Sequence, residues 1–146
     1  MSLIKLFLLI PVLLIGLSSS ANAQWYSQTS GTTSRLSGVS FTDANNGTAV
    51  GEGGTILRTI NGGMNWIPQT SGTSWWLHGV SFTDPDNGTA VGDLGTILKT
   101  TNGGTDWIFQ QGVLPKSILS IHFTDENNGC AAGVAYIGGN YLSFFN

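Results

Sequence analysis

A 41-residue repeat constrains the fold of this chain more than any other feature of its sequence. Residues 25–65 align with residues 66–106 without a gap, and 27 of the 41 positions are identical. A third, incomplete unit occupies residues 107–146. Each unit opens on a tryptophan, and the three stand at the same interval: Trp25, Trp66 and Trp107. A chain that repeats at this period builds one supersecondary unit several times and stacks the copies.

Each unit predicts four short β-strands. In the second unit, Leu77–Thr83 alternates apolar residues with small or polar ones, as a half-buried strand does. The next five residues, DPDNG at 84–88, predict a tight turn in which Asn-Gly adopts positive backbone angles. TAVGD and GTILKT then form the second and third strands, and TNGGTDW predicts a hairpin into the fourth strand, WIFQQ.

Four strands in each 41-residue unit match the blade of a β-propeller. We therefore predict an all-β fold of four-stranded propeller blades over residues 24–146, incomplete at about three blades. A β-sandwich is the alternative all-β fold, and the strict repeat argues against it. No segment after residue 23 shows a convincing helical period.

The first 23 residues predict a secretory signal peptide. Lys5 precedes an apolar run, Leu6–Leu17, and the small residues of Ala21-Asn22-Ala23 follow. This run is shorter than the ~20 residues of an ordinary membrane span, so we expect cleavage after Ala23. The alternative is an uncleaved N-terminal anchor. Cleavage would place the remaining residues in the periplasm, a lumen or the extracellular space, and no later stretch is apolar enough to span a membrane.

The charge balance excludes two classes of partner. Four basic and eight acidic residues remain after the leader, and the basic ones are scattered: Arg35, Arg58, Lys99 and Lys116. Nucleic acids and anionic bilayers both require clustered Lys and Arg, so we predict no nucleic acid and no membrane surface as partner. Cys130 is the only cysteine, which excludes an intrachain disulfide and predicts a packed, unreactive thiol.

The hairpin that closes each unit carries the first family resemblance. TINGGMNW (59–66) and TTNGGTDW (100–107) resemble the Asp-box, or BNR, hairpin of sialidase-like propellers, with Asn in place of the usual Asp. Ten residues define the two hairpins: Thr59, Asn61, Gly62, Gly63, Trp66, Thr100, Asn102, Gly103, Gly104 and Trp107. We expect the asparagines to bond their own turns, the glycines to relax them and the tryptophans to pack against the blades.

A longer motif, SGVSFTDxxNGTAVGxxGTIL-[RK]-T-x-NGG, closely resembles the repeat of the photosystem II stability and assembly factor family. The resemblance covers nearly all of residues 24–146. It implies a lumenal or periplasmic propeller that helps to build the photosystem II reaction centre, with photosystem II subunits as protein partners. The expected function is therefore that of a non-enzymatic interaction and assembly scaffold.

Residues 24–146 lack the side chains that a sialidase-like active site or a metal centre would need. The resemblance to sialidases implies a site in which three arginines bind a carboxylate. Residues 24–146 contain only two arginines, Arg35 and Arg58. His78 and His122 have no metal-ligand spacing with each other or with Cys130. We therefore predict no catalytic residue, no cofactor and no metal.

Trp75 and Trp76 are the one departure from the repeat that bears on binding. They lie in the loop that enters a first strand, where the first unit has Ser34-Arg35. Adjacent residues of an extended segment point to opposite sides, so at most one tryptophan is easily buried and the other can anchor a partner. The alternatives are packing between blades and a second function, a stacking platform in a cell-surface glycan-binding module.

The strand count leaves the closure of the propeller open. Trp25 would begin the fourth strand of a preceding blade, and GNYLSFFN (139–146) aligns with a third strand. The chain is then either a fragment of a longer propeller, or one half of a homodimer in which two copies join edge to edge to complete a ring. An open array is the remaining alternative. Unpaired strand edges invite association in each case.

Overall fold

The computed structural model describes residues 27–110, 117–137 and 140–142, which form three antiparallel sheets. The first sheet contains β1 (Leu36–Phe41), β2 (Gly47–Gly51), β3 (Ile56–Thr59) and β4 (Ile67–Gln69). The second contains β5 (Leu77–Phe82), β6 (Gly88–Gly92), β7 (Ile97–Thr100) and β8 (Ile108–Gln110). The third contains β9 (Ser117–Phe123), β10 (Gly129–Ile137) and β11 (Asn140–Leu142).

Each sheet is a meander in which every strand pairs with the next one along the chain. The prediction of an all-β fold built from four-stranded blades is confirmed. The predicted signal peptide, the predicted strand at Trp25 and residues 143–146 lie outside the described residues. No helix in the described ranges has the length and hydropathy that crossing a membrane requires.

An aspartate closes the turn between the first two strands of each sheet. Asp43 Oδ2 accepts a hydrogen bond from Asn46 Nδ2 (2.8 Å), and Asp43 Oδ1 accepts two from the backbone N–H groups of Asn45 (2.7 Å) and Asn46 (2.9 Å). These bonds, that of the Asn46 side chain first, hold the pKa of Asp43 below its ordinary value because they favour the ionised carboxylate. Asp84 and Asp125 close the equivalent turns in the same way.

The prediction of positive backbone angles at this Asn-Gly turn is wrong. Neither Asn46 nor Gly47 has a positive φ, and Gly47 is already the first residue of β2. A Cβ atom on Gly47 would lie 2.5 Å from Cζ of Phe41. Gly88 makes the same room for the ring of Phe82. Glycine leaves room here for an aromatic ring that lies against the backbone, and the aspartate carboxylate closes the turn.

The buried core lies between the first two sheets. It joins apolar side chains from both: Val50, Ile56, Leu77, Val80, Phe82, Ala90 and Leu98. Each of them is at most 9% exposed. Neither sheet could bury this area alone, so burial of apolar surface stabilises the stacking of one blade on the next.

The first strands of these two sheets also meet through a glycine and a serine, which we call the Gly-x-Ser pair. A Cβ atom on Gly38 would lie 2.9 Å from the carbonyl oxygen of His78, so only glycine permits this approach. Ser40 Oγ accepts a hydrogen bond from the backbone N–H of Phe82 (3.1 Å). One strand therefore contacts the backbone of the next directly.

The same pair recurs between the second and third sheets. A Cβ atom on Gly79 would lie 3.2 Å from Cα of Ser120, and Ser81 Oγ accepts a hydrogen bond from the backbone N–H of Phe123 (3.0 Å). Two successive junctions thus use the same two residue types at the same positions of the repeat. The Gly-x-Ser pair is the local feature that sets how closely neighbouring blades approach.

Arg58 adds a polar link at the first junction that the second junction lacks. Its Nη2 donates to the carbonyl oxygen of Pro85 (2.9 Å), and its guanidinium carbon lies 5.5 Å from the centroid of the Phe82 ring. Lys99 is the equivalent residue of the second sheet; it is exposed and lines an open cleft of about 160 Å³ beside Phe123. The ammonium group of Lys99 lacks the planar guanidinium with which Arg58 donates a hydrogen bond and stacks on a ring at the same time. The second junction is therefore more open than the first.

Cys130 does not lie where the sequence predicted it. The thiol is exposed, and the prediction of a packed cysteine is wrong. Thr48, its counterpart in the first sheet, is fully buried because the second sheet covers that side. Cys130 stands opposite His122 in the β9–β10 ladder, so both residues belong to the far side of the third sheet.

Candidate functional site

The turns of the sheets gather at two ends. The hairpin end comprises the aspartate turns and the hairpins predicted to resemble Asp-boxes: 42–46, 60–66, 83–87 and 101–107. The loop end comprises the connections between sheets and the turns between second and third strands: 29–35, 52–54, 70–76 and 93–95. This division follows from the antiparallel order, because each strand returns the chain to the end it left.

Thr59 and Asn61 build the first hairpin from their side chains. Thr59 Oγ1 donates to Asn61 Oδ1 (3.0 Å) and accepts from the backbone N–H of Gly63 (2.9 Å). Asn61 Oδ1 also accepts from the backbone N–H of Asn65 (3.0 Å). Gly62 and Gly63 have φ values of 68° and 87°, which favour glycine. The Thr59 hydroxyl and the Asn61 side-chain oxygen are thus bonded within the hairpin.

The second hairpin repeats this arrangement. Thr100 Oγ1 donates to Asn102 Oδ1 (3.0 Å) and accepts from the backbone N–H of Gly104 (2.8 Å). Asn102 Oδ1 accepts from the backbone N–H of Asp106 (3.0 Å), and Asn102 Nδ2 donates to the Asp106 carboxylate (2.9 Å). Gly103 and Gly104 again have positive φ, at 67° and 84°.

Gln69, on β4, links the second hairpin to the first sheet. Gln69 Nε2 donates to the carbonyl oxygen of Gly103 (3.4 Å), and Gln69 Oε1 accepts from Trp107 Nε1 (3.3 Å). A Cβ atom on Gly104 would collide with the same amide. Gln28 Nε2 makes the equivalent bond to the first hairpin, at Gly62 (3.1 Å). The contacts of Gln69 therefore join the first blade to the second.

The two hairpin tryptophans have different surroundings. Trp107 packs edge-on against Phe82, with ring centroids 6.0 Å apart, and touches the buried core. Trp66 packs in the same geometry against Phe41, at 6.2 Å, but Phe41 is 46% exposed. Both tryptophans are half-buried, and they differ in that Trp107 packs against the buried core whereas Trp66 packs against an exposed ring.

At the loop end, Trp76 is held by its neighbours. Its Nε1 donates to Ser37 Oγ of the first sheet (2.6 Å). Its ring lies 5.4 Å from the His78 ring, and the Arg35 guanidinium lies 5.6 Å from the indole centroid. Trp76 thus spans the junction between two blades and lies close to both a cation and an imidazole.

Asp93 joins the second and third sheets beside this stack. His78 Nε2 lies 2.8 Å from Asp93 Oδ1, and Ser117 Oγ donates to the same oxygen (2.9 Å). Burial of the carboxyl opposes ionisation, but the bonds from His78 and Ser117 outweigh it, so the pKa of Asp93 lies below its ordinary value. Serine and histidine both bond the carboxylate, so this trio lacks the serine–histidine contact that a catalytic triad requires.

Trp75 and Leu94 form the exposed apolar surface of the loop end. Trp75 is 50% exposed and Leu94 is 57% exposed. The backbone N–H of Asp93 donates to the carbonyl oxygen of Trp76 (2.9 Å). Trp75 precedes Trp76 in the chain, and Leu94 follows Asp93. Their backbones are therefore neighbours, and we call these two residues the Trp–Leu pair.

Leu94 has a backbone conformation that leucine rarely adopts. Its φ is 53°, the only positive φ of a non-glycine residue among those described. The equivalent residue of the first sheet is Gly53, with a φ of 66°. Sequence reasoning missed Leu94, although the aligned units GEGGT and GDLGT show a leucine over a glycine at this place. An exposed leucine in a strained position suggests a functional constraint.

The described residues offer contact surface more than reactive chemistry. No group of three or more His, Cys, Asp or Glu side chains in the ranges 27–110, 117–137 and 140–142 is placed to hold a metal ion. The carboxylates whose pKa lies below the ordinary value are the turn aspartates and Asp93, and each accepts hydrogen bonds from neighbouring groups of the fold. Within the described turns of the loop end, the Trp–Leu pair provides the exposed large apolar side chains.

Comparison with known proteins places these features in a family. Residues 17–107, more than half of the chain, match the family model of the photosynthesis system II assembly factor YCF48. No curated protein matches. The solved structure of YCF48 bound to D1 peptide is similar over 77% of this chain and 41% of that one, with 27% identity and a TM-score of 0.60.

A second solved structure gives the same result. YCF48 from Cyanidioschyzon merolae is similar over 77% of this chain and 40% of its own, with 26% identity and a TM-score of 0.59. This chain therefore spans about two fifths of the length of the solved structures that it matches. The repeat, the blades and the matched model agree, and the chain belongs to the photosynthesis system II assembly factor YCF48 family.

Proposed function

We propose that this chain is an exported, non-enzymatic scaffold of photosystem II assembly that binds a polypeptide segment at its loop end. The observation that carries the proposal is the exposed Trp–Leu pair in a member of this family. The YCF48 structure with a bound D1 peptide supports a segment of a photosystem II subunit as the partner.

The Trp–Leu pair has the properties of a preorganised anchor. The backbone N–H of Trp75 donates to Thr73 Oγ1 (3.1 Å), and the neighbouring Trp76 is fixed by its bond to Ser37. The indole of Trp75 is therefore presented by a backbone that is already ordered, so binding costs less conformational entropy. Large aromatic side chains in such positions supply most of the energy of many interfaces.

Leu94 adds a second argument. A left-handed backbone costs a leucine roughly 1 kcal/mol relative to a relaxed conformation. Glycine would remove that cost, as Gly53 does in the first sheet. Retaining leucine exposes an aliphatic side chain beside Trp75, which is the residue type that an apolar peptide side chain would contact.

The test is titration of the chain with overlapping synthetic peptides that span the D1 sequence, followed by calorimetry on any peptide that binds. We expect Trp75→Ala to weaken binding at least about tenfold, or roughly 1.4 kcal/mol. Leu94→Gly should also weaken binding while raising the melting temperature, because it removes the strained backbone. A variant that is more stable and binds less cannot owe its loss to misfolding.

Met64→Ala is the matched control, since Met64 is 77% exposed but lies at the hairpin end. Its affinity should stay within about twofold of the parent chain, as for a residue outside the interface. Unchanged affinity in both Trp75→Ala and Leu94→Gly would refute the site. Retention on a glycan array that depends on Trp75, with no peptide bound, would favour the glycan-binding function instead.

Export is the second part of the proposal. The signal peptide predicted over residues 1–23 supports it, and a lumenal or periplasmic location follows for residues 24–146. We expect the exported protein to begin at or near Gln24. Amino-terminal sequencing of the extracytoplasmic protein measures this directly, and recovery of Met1 there would exclude cleavage.

A further inference from the structure

The first junction contains a complete site for a guanidinium group, and Arg58 fills it. Arg58 Nη2 donates to the carbonyl oxygen of Pro85 (2.9 Å), and Nη1 donates to Thr48 Oγ1 (3.4 Å). The guanidinium carbon lies 5.5 Å from the centroid of the Phe82 ring. A planar cation that stacks on an aromatic face and donates hydrogen bonds from its edge is a common environment of a bound arginine. The residues around Arg58 therefore show which groups this fold uses to hold a guanidinium.

The second junction repeats those groups around the open cleft beside Phe123. Thr89, Phe123 and Glu126 line the cleft, and each stands 41 residues after its counterpart at the first junction: Thr48, Phe82 and Pro85. Asp125 closes the turn at Glu126 with the same backbone hydrogen bonds with which Asp84 closes the turn at Pro85. The carbonyl oxygen of Glu126 is therefore held in an equivalent turn.

The groups that Arg58 covers at the first junction are accessible at the second. Phe123 and Thr89 are half-buried, whereas Phe82 is 9% exposed and Thr48 is fully buried. The cleft measures about 160 Å³. A cavity of about 150 Å³ holds a benzene molecule, and a guanidinium group is smaller than benzene. The cleft therefore has room for the group that Arg58 supplies at the first junction.

The charges at the cleft suit a cation that makes several hydrogen bonds. Glu126 and Lys99 are the charged residues of its lining, and both are exposed. The carboxylate of Glu126 belongs to the position that the uncharged Pro85 has at the first junction, and a carboxylate can accept two parallel bonds from a guanidinium. This attraction offsets the repulsion from the ammonium of Lys99, which is flexible and strongly hydrated and can move away from a second cation.

We propose that the cleft binds an arginine side chain of a partner polypeptide. The guanidinium lies over the Phe123 ring, and its N–H groups donate to the Thr89 hydroxyl and to the carbonyl and carboxylate oxygens of Glu126. Asn127, which is exposed in the lining, supplies an amide that can bond the peptide groups beside the arginine. The cleft belongs to the hairpin end, so the proposal does not depend on the peptide site at the loop end.

The test is titration of the isotope-labelled chain with N-acetyl-arginine N-methylamide, followed by NMR at the backbone amides of Phe123 and Glu126. N-acetyl-lysine N-methylamide is the matched probe, because it carries the same charge and peptide groups without the planar guanidinium. We expect the arginine probe to bind at least about tenfold more tightly than the lysine probe. Equal affinities would overturn the proposal.

Lys99→Arg and Lys99→Gln separate the two roles that residue 99 can have. Lys99→Arg supplies a guanidinium from within the chain, so it should weaken binding of the arginine probe at least about tenfold and raise the melting temperature. Lys99→Gln removes the ammonium without filling the cleft, so it should bind the probe at least as tightly as the parent chain does. Loss of binding in Lys99→Gln would assign the affinity to the ammonium itself and overturn the proposal.

Two further measurements keep the test decisive if Lys99→Arg does not fold. Glu126→Gln changes an exposed side chain and should weaken binding of the arginine probe about threefold, as for an exposed ion pair. Ethylguanidinium, which lacks peptide groups, should bind more weakly than the arginine probe; binding as tight would overturn a polypeptide as the source. Trp75→Ala should leave the affinity for the arginine probe unchanged, which distinguishes this cleft from the peptide site.

Discussion

Trp107→Ala is expected to lower the free energy of unfolding by about 3 kcal/mol, within the range for deleting a large aromatic side chain from a packed site. The substitution removes the edge-on contact with Phe82, the contact with the buried core and the bond from Nε1 to Gln69. Urea denaturation followed by circular dichroism measures the loss. Because the bond to Gln69 joins the first two blades, the variant should also unfold less cooperatively.

Trp66→Ala is the matched control for that prediction. Trp66 has the same place in the repeat, but Phe41 beside it is 46% exposed and the buried core does not reach it. We expect a loss of only about 1 kcal/mol, typical of a partly exposed site. Equal losses for the two tryptophans would show that the hairpin itself, and not the junction between blades, accounts for their contribution.

Gly88→Ala is expected to destabilise the protein by about 2 kcal/mol, a typical cost of overpacking. Its Cβ would lie 2.5 Å from Cζ of Phe82, and that ring is enclosed by Trp107 and Arg58. The ring has no direction in which to move, so the backbone must shift. The change in melting temperature and in the urea midpoint measures the effect.

Gly47→Ala creates the same contact with a ring that can move. Its Cβ would lie 2.5 Å from Cζ of Phe41, which is 46% exposed. We expect a change within about 0.5 kcal/mol, because rotation of Phe41 relieves the clash and alanine reduces the freedom of the unfolded chain. A large loss in this variant, or none in Gly88→Ala, would contradict the assignment of these glycines to ring packing.

The repeat was sufficient to predict the sheets, because each copy of a four-stranded unit buries its apolar face by stacking on a neighbouring copy. It was not sufficient to predict which backbone conformation each Asn-Gly dipeptide adopts. Asn61-Gly62 and Asn46-Gly47 look alike, but Gly62 has a φ of 68° whereas Gly47 lies in a strand under Phe41. The difference arises from an aspartate that closes one turn and a threonine that closes the other.

The candidate site could also be predicted only in part from the sequence. The sequence indicated that Trp75 and Trp76 face opposite sides, but it could not say which of them is the more exposed. The structure places Trp76 against Ser37, a residue 39 positions earlier in the chain. Leu94 could have been found from the repeat alone, by asking where a glycine of one unit is replaced in the next. Its exposure beside Trp75 depends on a tertiary contact that no local pattern encodes.

The spacing of the junction bonds has a consequence for how the protein reaches its fold. Ser40 and Phe82 are 42 residues apart, as are Ser81 and Phe123, and the glutamine–glycine links each span 34. The entropy lost in closing a loop depends on its length, so every blade adds at the same cost however many precede it. A chain that emerges amino terminus first can dock each blade within seconds of its synthesis, at typical rates of about 5–20 residues per second. Folding that advances with the emerging chain keeps the apolar face of only the newest blade exposed.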